Sequence, residues 1–126
     1  MKEVSKTIAY NGKNYKIVFN LNVLEAIQEK YGSVEAWGDL TDGKRKDENG
    51  KKIEGEIDLS ALIFGFTEAL NEGIDIDNET RSEKEPFLTR KQVARMITAI
   101  GQETATEELN DLVIDSIKDK DAEKNA

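Results

Sequence analysis

The chain contains no cysteine and no histidine, and these two absences narrow the chemistry that it can perform. Without cysteine, it forms neither a disulfide nor a thiolate metal site. Without histidine, it lacks the side chain that most often serves as an acid-base group near neutral pH and as a metal ligand. We therefore expect a protein that is not an enzyme and that binds neither a metal nor another cofactor.

Long apolar runs are also missing, and the charge is mainly of one sign. No stretch approaches the roughly 20 apolar residues that a membrane span needs, and the N-terminus, Met-Lys-Glu-Val-Ser-Lys-Thr, has no apolar signal core. The formal net charge of -8 opposes long-range attraction to nucleic acid or to an anionic membrane. We expect a cytoplasmic protein whose partners include neither nucleic acid nor membrane.

The clearest structural pattern lies in the N-terminal third of the chain. Asn22 followed by Glu25 resembles a capping box at the start of a helix, and Gly32 is suited to end that helix. Ser33 then predicts the N-cap of a short second helix, which carries Trp37, the only tryptophan, back toward the first. The first helix has an apolar stripe at helical spacing that predicts its buried face: Val23, Leu24, Ile27 and Tyr31.

The residues before this helix predict an antiparallel β-hairpin over residues 4–19. Its turn is Asn11-Gly12, a dipeptide suited to the positive φ angles of a type I′ turn. A two-residue turn gathers the apolar side chains on one face, whereas a three-residue loop would scatter them. This register leaves Val18 as the one apolar residue on the outer face. The face predicted to be buried carries Val4, Ile8, Tyr10, Tyr15, Ile17 and Phe19.

Residues 38–57 have no periodic pattern and are rich in glycine and charge. They predict either a long mobile loop or a small exposed hairpin that turns near Asn49-Gly50. A nucleic-acid site is disfavoured here, because acidic residues in the same segment balance the basic ones, and we interpret the segment as a solvated insertion. Its basic residues are Lys44, Arg45, Lys46, Lys51 and Lys52.

A third helix is expected to begin at its N-cap Asp58 and to end at Gly73. An acidic connector over residues 74–86 follows it and ends in Pro86, the only proline. Phe64 lies off the apolar stripe of this helix, which indicates either packing on a neighbouring element or a side chain offered to a partner. The stripe that we expect to be buried consists of Leu59, Leu62, Ile63, Phe66 and Leu70.

Two more helices complete the pattern. Thr89 with Gln92 predicts a capping box, and the helix that follows is expected to end at Gly101. The last helix is expected over residues 104–118, with a flexible charged tail at 118–126. Apart from Ile114, which lies off the stripe, its apolar residues share one side: Ala105, Leu109, Leu112, Val113 and Ile117.

These elements together predict an α+β fold. The N-terminal β-hairpin is expected to pack on a mostly helical domain of about four helices. The length of 126 residues is that of one domain, which we assign to residues 1–117 with a mobile polar insertion at 38–57.

Four parts of the chain carry a resemblance to a known family, and the resemblance covers most of residues 5–117. They are Asn-Gly-Lys-Asn-Tyr-Lys-Ile-Val-Phe-Asn-Leu-Asn-Val-Leu-Glu-Ala-Ile-Gln-Glu-Lys-Tyr-Gly-Ser (11–33), Trp37, Asn-Glu-Gly (71–73) and Pro-Phe-Leu-Thr-Arg-Lys-Gln-Val-Ala-Arg-Met-Ile (86–97). On these residues the chain resembles the small tail assembly chaperones of long-tailed phages and prophages of Gram-positive bacteria.

The resemblance implies a non-enzymatic protein of the host cytoplasm that is absent from the mature virion. Such a protein binds the hydrophobic, helical tape measure protein and keeps it soluble while the tail tube protein polymerises around it; self-association is left open. A client helix would lie in an apolar groove, and an acidic exterior would oppose aggregation. Candidate groove residues are Tyr31, Trp37, Phe64 and Ile114. For Tyr31 and Trp37, burial in the core is the simpler interpretation.

Two other functions fit the same sequence. A structural tail or head-tail joining protein would form a stable ring and would remain in purified virions. A small acidic protein that inhibits a basic host factor would bind its cationic partner with a strong dependence on salt.

Overall fold

A computed structural model describes the backbone of residues 1–46 and 48–125 and the side chains of residues 1–43, 48–51 and 55–117. The described residues form an α+β fold, as the sequence predicts: an N-terminal antiparallel β-hairpin followed by five helices. A second, short hairpin lies between the second and third helices. The elements in chain order are β1 (Val4–Tyr10), β2 (Lys13–Phe19), α1 (Leu21–Tyr31), α2 (Val34–Thr41), β3 (Lys44–Lys46), β4 (Lys52–Glu54), α3 (Leu59–Asn78), α4 (Arg90–Ile100) and α5 (Gln102–Asn125).

Strands β1 and β2 form the predicted hairpin with its two-residue turn. Val4 pairs with Phe19 at the open end, and the pairing continues in register to the turn. Asn11 and Gly12 have φ angles of 54° and 76°, the left-handed region that a type I′ turn requires at both central positions. The predicted register is therefore confirmed.

Helix α3 extends beyond Gly73, so the predicted end of this helix is wrong. The helix continues to Asn78, and Gly73 instead permits close contact with β2, because a Cβ at this position would overlap the Lys16 carbonyl oxygen. Lys16 Nζ also lies 2.9 Å from the Oδ1 atom of Asp77.

Val18 was predicted to lie on the outer face of the hairpin, and this prediction is wrong. Val18 lies on the same side of β2 as Lys16 and is only 1 % exposed.

Helix α1 begins earlier than the capping pattern predicted. Asn20 is its N-cap, and the side-chain oxygen of Asn20 accepts hydrogen bonds from two amides of the first turn, at 3.1 and 3.3 Å. Asn22 is already helical, so the predicted capping box of Asn22 and Glu25 is wrong. The other two predictions hold, because Gly32 ends α1 with a φ of 90° and Ser33 caps α2.

The polar insertion at 38–57 adopts the second of the two predicted alternatives. Its first residues complete α2, and β3 pairs with β4 in a short antiparallel hairpin. The side chains of residues 44–47 and 52–54, which include most of the basic residues of the insertion, lie outside the described part of the chain. Its mobility stays a prediction.

The core lies between the N-terminal hairpin and the five helices. Helix α3 supplies the largest share of it, and β1, β2, α1, α2, α4 and α5 each contribute at least one buried side chain. Leu59, which was predicted to be buried at the start of α3, is 49 % exposed. The largest fully buried side chains include Trp37, Phe19, Phe66, Ile17 and Ile27.

The caps of α3 and α4 follow the sequence pattern. Asp58 accepts a hydrogen bond from the Ala61 amide at 3.0 Å. Thr89 and Gln92 form the predicted capping box, and Gly101 ends α4 with a φ of 95°.

Helix α5 departs from its predicted pattern in one important respect. Ile117, assigned to the buried side, is 53 % exposed, whereas the hydroxyl-bearing Ser116 is fully buried. The backbone of α5 is helical to Asn125, beyond the predicted end at about residue 118. The side chains of the predicted charged tail, residues 118–126, lie outside the described ones. No helix in the described part of the chain has both the length and the apolar character needed to cross a bilayer.

Candidate partner-binding groove

The four predicted binding residues fall into two pairs. Tyr31 and Phe64 contact each other, with ring centroids 5.6 Å apart and ring planes at 70°. Trp37 and Ile114 line an open groove between α2 and α5. The structure therefore does not gather the four side chains at one surface.

The Tyr31 and Phe64 pair is satisfied by contacts within the chain. Their edge-to-face geometry is a favourable arrangement of two aromatic rings. Lys30 Nζ lies 4.5 Å from the Phe64 centroid and covers the pair from the solvent side. Burial raises the pKa of the Tyr31 hydroxyl, and the nearby Asp58 carboxylate raises it further. Packing on α1 thus accounts for the off-stripe position of Phe64.

Trp37 is part of the core and forms the floor of the groove. Only 1 % of its surface is exposed, and its Nε1 atom donates a hydrogen bond to the Ala61 carbonyl oxygen at 2.9 Å. The indole ring fills the space above Gly65, where a Cβ would overlap it. A partner in the groove would therefore lie over the outer edge of Trp37 and would not surround the ring.

The wall formed by α5 presents large apolar side chains to solvent. Ile114 is 58 % exposed and Ile117 is 53 % exposed, and both line the groove together with the half-buried Val113. Asn110 lies one turn earlier on the same face of α5, and its Nδ2 atom donates a hydrogen bond to the Asp42 carboxylate at 2.5 Å. This bond joins the two walls at one end of the groove.

The opposite wall, formed by α2, is acidic along its rim. Glu35, Asp39 and Asp42 line the groove, and none of its described lining residues is Lys or Arg. The spacing of these acids, four and then three residues, places them along one side of α2. The groove, with a volume of about 380 Å³, thus combines an apolar floor and wall with a negatively charged edge.

Gly38 lies in the middle of α2 and lines the same groove. A Cβ at Gly38 would have no neighbour within 4 Å among the described atoms outside its own helical backbone and chain neighbours. Gly65 and Gly73 differ, because at each of them a Cβ would overlap another part of the chain. The packing of the folded chain therefore requires glycine at 65 and 73 but leaves position 38 open.

Sequence reasoning identified part of this groove. Trp37 and Ile114 were candidates, whereas Val34, Gly38 and Ile117 were missed. One signal in the sequence points to the missed wall: the apolar residues of the last helix from Leu109 to Ile117 spread over about 200° of the helix circumference, wider than the stripe of about 100° that a single buried face needs.

The described side chains include no candidate metal site. No group of three or more potential ligands among them is placed to hold a metal ion. Among the titratable side chains that the structure describes, four have shifted pKa values, and none of them lines the groove: Lys6, Tyr31, Glu68 and Glu85. The pKa of Lys6 is raised mainly by hydrogen bonds to Glu108 and Asp111 on α5, which is a surface contact between elements.

No protein-family model, curated protein sequence or solved structure matches this chain.

Proposed function

We propose that this chain is a tail assembly chaperone of a long-tailed phage or prophage. It has no enzymatic activity; it binds an apolar helical segment of the tape measure protein and keeps that protein soluble while the tail tube protein polymerises around it. It acts in the host cytoplasm and is absent from the mature virion. The observation that carries the proposal is the exposed apolar wall of α5, formed by Ile114 and Ile117 beside the groove.

The exposed wall is unusual for a helix that otherwise carries many charges. Two isoleucines that are more than half exposed on one helix face support a contact with a partner at this surface, because exposed clustered apolar groups favour association. The wall and the floor at Trp37 together provide the apolar surface on which an amphipathic helix lies in helix-in-groove binding. The groove therefore suits a helical client.

The acidic exterior supports the same function. A chaperone that covers part of an insoluble client must keep the complex apart from other complexes, and a net charge of -8 provides mutual repulsion. The identity of the client comes from the resemblance of residues 11–33, Trp37, 71–73 and 86–97 to the tail assembly chaperones.

Co-expression with the tape measure protein encoded beside this chain tests the proposal. We expect the client to become soluble and to co-purify with the chain. The double variant Ile114→Ser/Ile117→Ser should lose the client, because it removes the exposed wall while leaving the buried residues of α5 unchanged. Leu21→Ser is the matched control, since Leu21 is 68 % exposed and does not line the groove.

Circular dichroism establishes that both variants fold. A client that stays insoluble with the wild-type chain overturns the proposal. Recovery of the wild-type chain in purified particles would instead support the structural tail or head-tail joining protein.

A further inference from the structure

We propose that the α2–α5 groove seats an amphipathic helix that crosses α2 directly over Gly38 and carries Lys or Arg beside its apolar face. This inference rests on the proposed function for the identity of its occupant, and it names the chemistry of the segment that binds. The occupant is a helix of the client and not a second copy of this chain.

Helix α2 contains a glycine, Gly38, that the fold itself does not require. A glycine inside a helix destabilises it relative to alanine, because the backbone loses more freedom on folding. Gly38 neither ends the helix nor has a positive φ, and the described chain leaves open space above it. Gly38 lies on the groove surface. A partner backbone that approaches closely at this point would explain why position 38 is glycine.

The rim of the groove along α2 carries a line of acidic residues. Glu35, Asp39 and Asp42 recur at helical spacing along about 10 Å of α2. Cationic side chains at matching intervals on the occupant would each face one carboxylate, and opposite charges of this kind select partners and speed association. A partner with acidic residues at these intervals would be repelled.

The same charges exclude a second copy of this chain as the favoured occupant. Two identical grooves would bring two acidic rims together, on chains that each carry a net charge of -8. Like charges placed opposite each other at an interface are unfavourable. The acidic rim beside the wall of Ile114 and Ile117 thus favours a partner of opposite charge.

The dimensions of the groove limit the length of the segment that it holds. On one side its lining residues run from Val34 of α2 to Asp42, the C-cap residue of that helix, and on the other side from Asn110 to Ile117 of α5. Each set corresponds to about two helical turns, or roughly 12 Å. The occupant therefore contributes two to three turns, with apolar anchors at i, i+3 or i+4, and i+7.

Two synthetic helical peptides provide the direct test. Both have about 18 residues, no tryptophan, the same apolar face and a central alanine; one carries Lys on both flanks and the other carries Glu. Trp37 is the only tryptophan and lies at the groove floor, so its fluorescence reports occupancy. We expect the Lys peptide to bind at least about tenfold more tightly than the Glu peptide, with a difference that decreases as salt rises from about 0.05 to 0.5 M.

Variants of Gly38 separate this inference from a general apolar attraction. Gly38→Ala and Gly38→Leu fill open space, so both should fold at least as stably as the wild type while binding the Lys peptide at least about tenfold more weakly. Improved folding with weakened binding is the expected signature of a site for a partner backbone. Unchanged binding by Gly38→Leu overturns the inference.

Charge variants test the rim. Asp39→Asn should reduce the preference for the Lys peptide. The control is Asp75→Asn, which removes the same charge from an exposed residue of α3 that does not line the groove. It should leave the preference for the Lys peptide unchanged. Equal effects of the two substitutions overturn the role of the rim.

Sedimentation experiments test whether a second copy of the chain occupies the groove. If the wild-type chain dimerises and Ile114→Ser/Ile117→Ser abolishes the dimer, a second copy occupies the groove and the inference is overturned.

The co-expression experiment tests the chaperone function, and the peptide and variant experiments test the binding mode, so each can fail without the other. If the tape measure protein becomes soluble but Gly38→Leu still binds it fully, the chaperone function stands and the proposed binding mode is wrong. If the Lys peptide binds as expected but the tape measure protein stays insoluble, the chaperone function is wrong and the chemistry of the groove stands.

Discussion

Helix α2 has two sides that are used differently. On its inner side, Trp37 donates a hydrogen bond to the Ala61 carbonyl oxygen and fills the space above Gly65. On its outer side, Gly38 lies below open space and lines the groove together with the exposed Ile114. The inner side is complete within the chain, whereas the outer side has apolar surface and a glycine that the fold itself does not use. Not all the apolar residues of this chain therefore serve its own core.

The largest expected effect lies on the inner side. Trp37→Ala should lower the free energy of unfolding by about 3–5 kcal/mol, because it removes a fully buried indole and leaves a cavity. Urea unfolding followed by circular dichroism measures this loss, since the variant has no tryptophan. Trp37→Phe is the control: it retains much of the volume and should lose less. A loss below about 1 kcal/mol for Trp37→Ala would contradict the assignment of Trp37 to the core.

The next prediction compares one substitution on the two sides. Gly65→Ala should lower the free energy of unfolding by about 1–3 kcal/mol, because the added methyl group overlaps the rigid indole of Trp37. Gly38→Ala should raise it by about 0.5–1 kcal/mol, because helix propensity improves and nothing is displaced. Urea unfolding of both variants gives the two values. Effects of the same sign would remove the distinction between the filled and the open side.

The smallest expected effect concerns charge on α3. Burial raises the pKa of Glu68, and the neighbouring Glu72 raises it further. The folded protein therefore binds the proton of the Glu68 carboxyl group more tightly than the unfolded chain does. Protonated Glu68 thus contributes stability at acidic pH. This contribution is lost as the pH rises from the ordinary carboxyl pKa through the raised pKa of the folded state.

Glu68→Gln removes this dependence on pH. The variant should be slightly more stable than the wild type at neutral pH, and the difference should shrink at acidic pH, below the ordinary carboxyl pKa. Thermal unfolding of both proteins across this range measures it. Glu25→Gln, an exposed substitution on α1, serves as the control and should show no such change. A difference that grows toward acidic pH would contradict the raised pKa of Glu68.

Features that depend on a few adjacent residues were predicted well. The turn at Asn11-Gly12, the helix end at Gly32 and the N-caps at Ser33 and Asp58 are all confirmed. In each case the deciding interaction is a backbone conformation or a hydrogen bond within three residues, so the local sequence contains the whole cause.

The errors occur where distant parts of the chain meet. Gly73 has the local character of a helix end, yet it lies inside α3, where Lys16 of β2 occupies the space that a side chain would fill. Asn22 has the character of an N-cap, yet Asn20 takes that role and its side chain also donates a hydrogen bond to Glu72 of α3. Such contacts cross more than 50 positions of sequence, and no local pattern contains them.

The sequence by itself determined the fold class, the register of the hairpin and most helix ends, since periodicity and capping act over short distances. It also indicated Trp37 and Ile114 as candidate groove residues. Only the tertiary structure decided that these two meet at one groove, that Phe64 pairs with Tyr31 elsewhere and that Ile117 faces solvent. Which face of a helix remains uncovered depends on how the other helices pack against it, and that is set by the whole core at once.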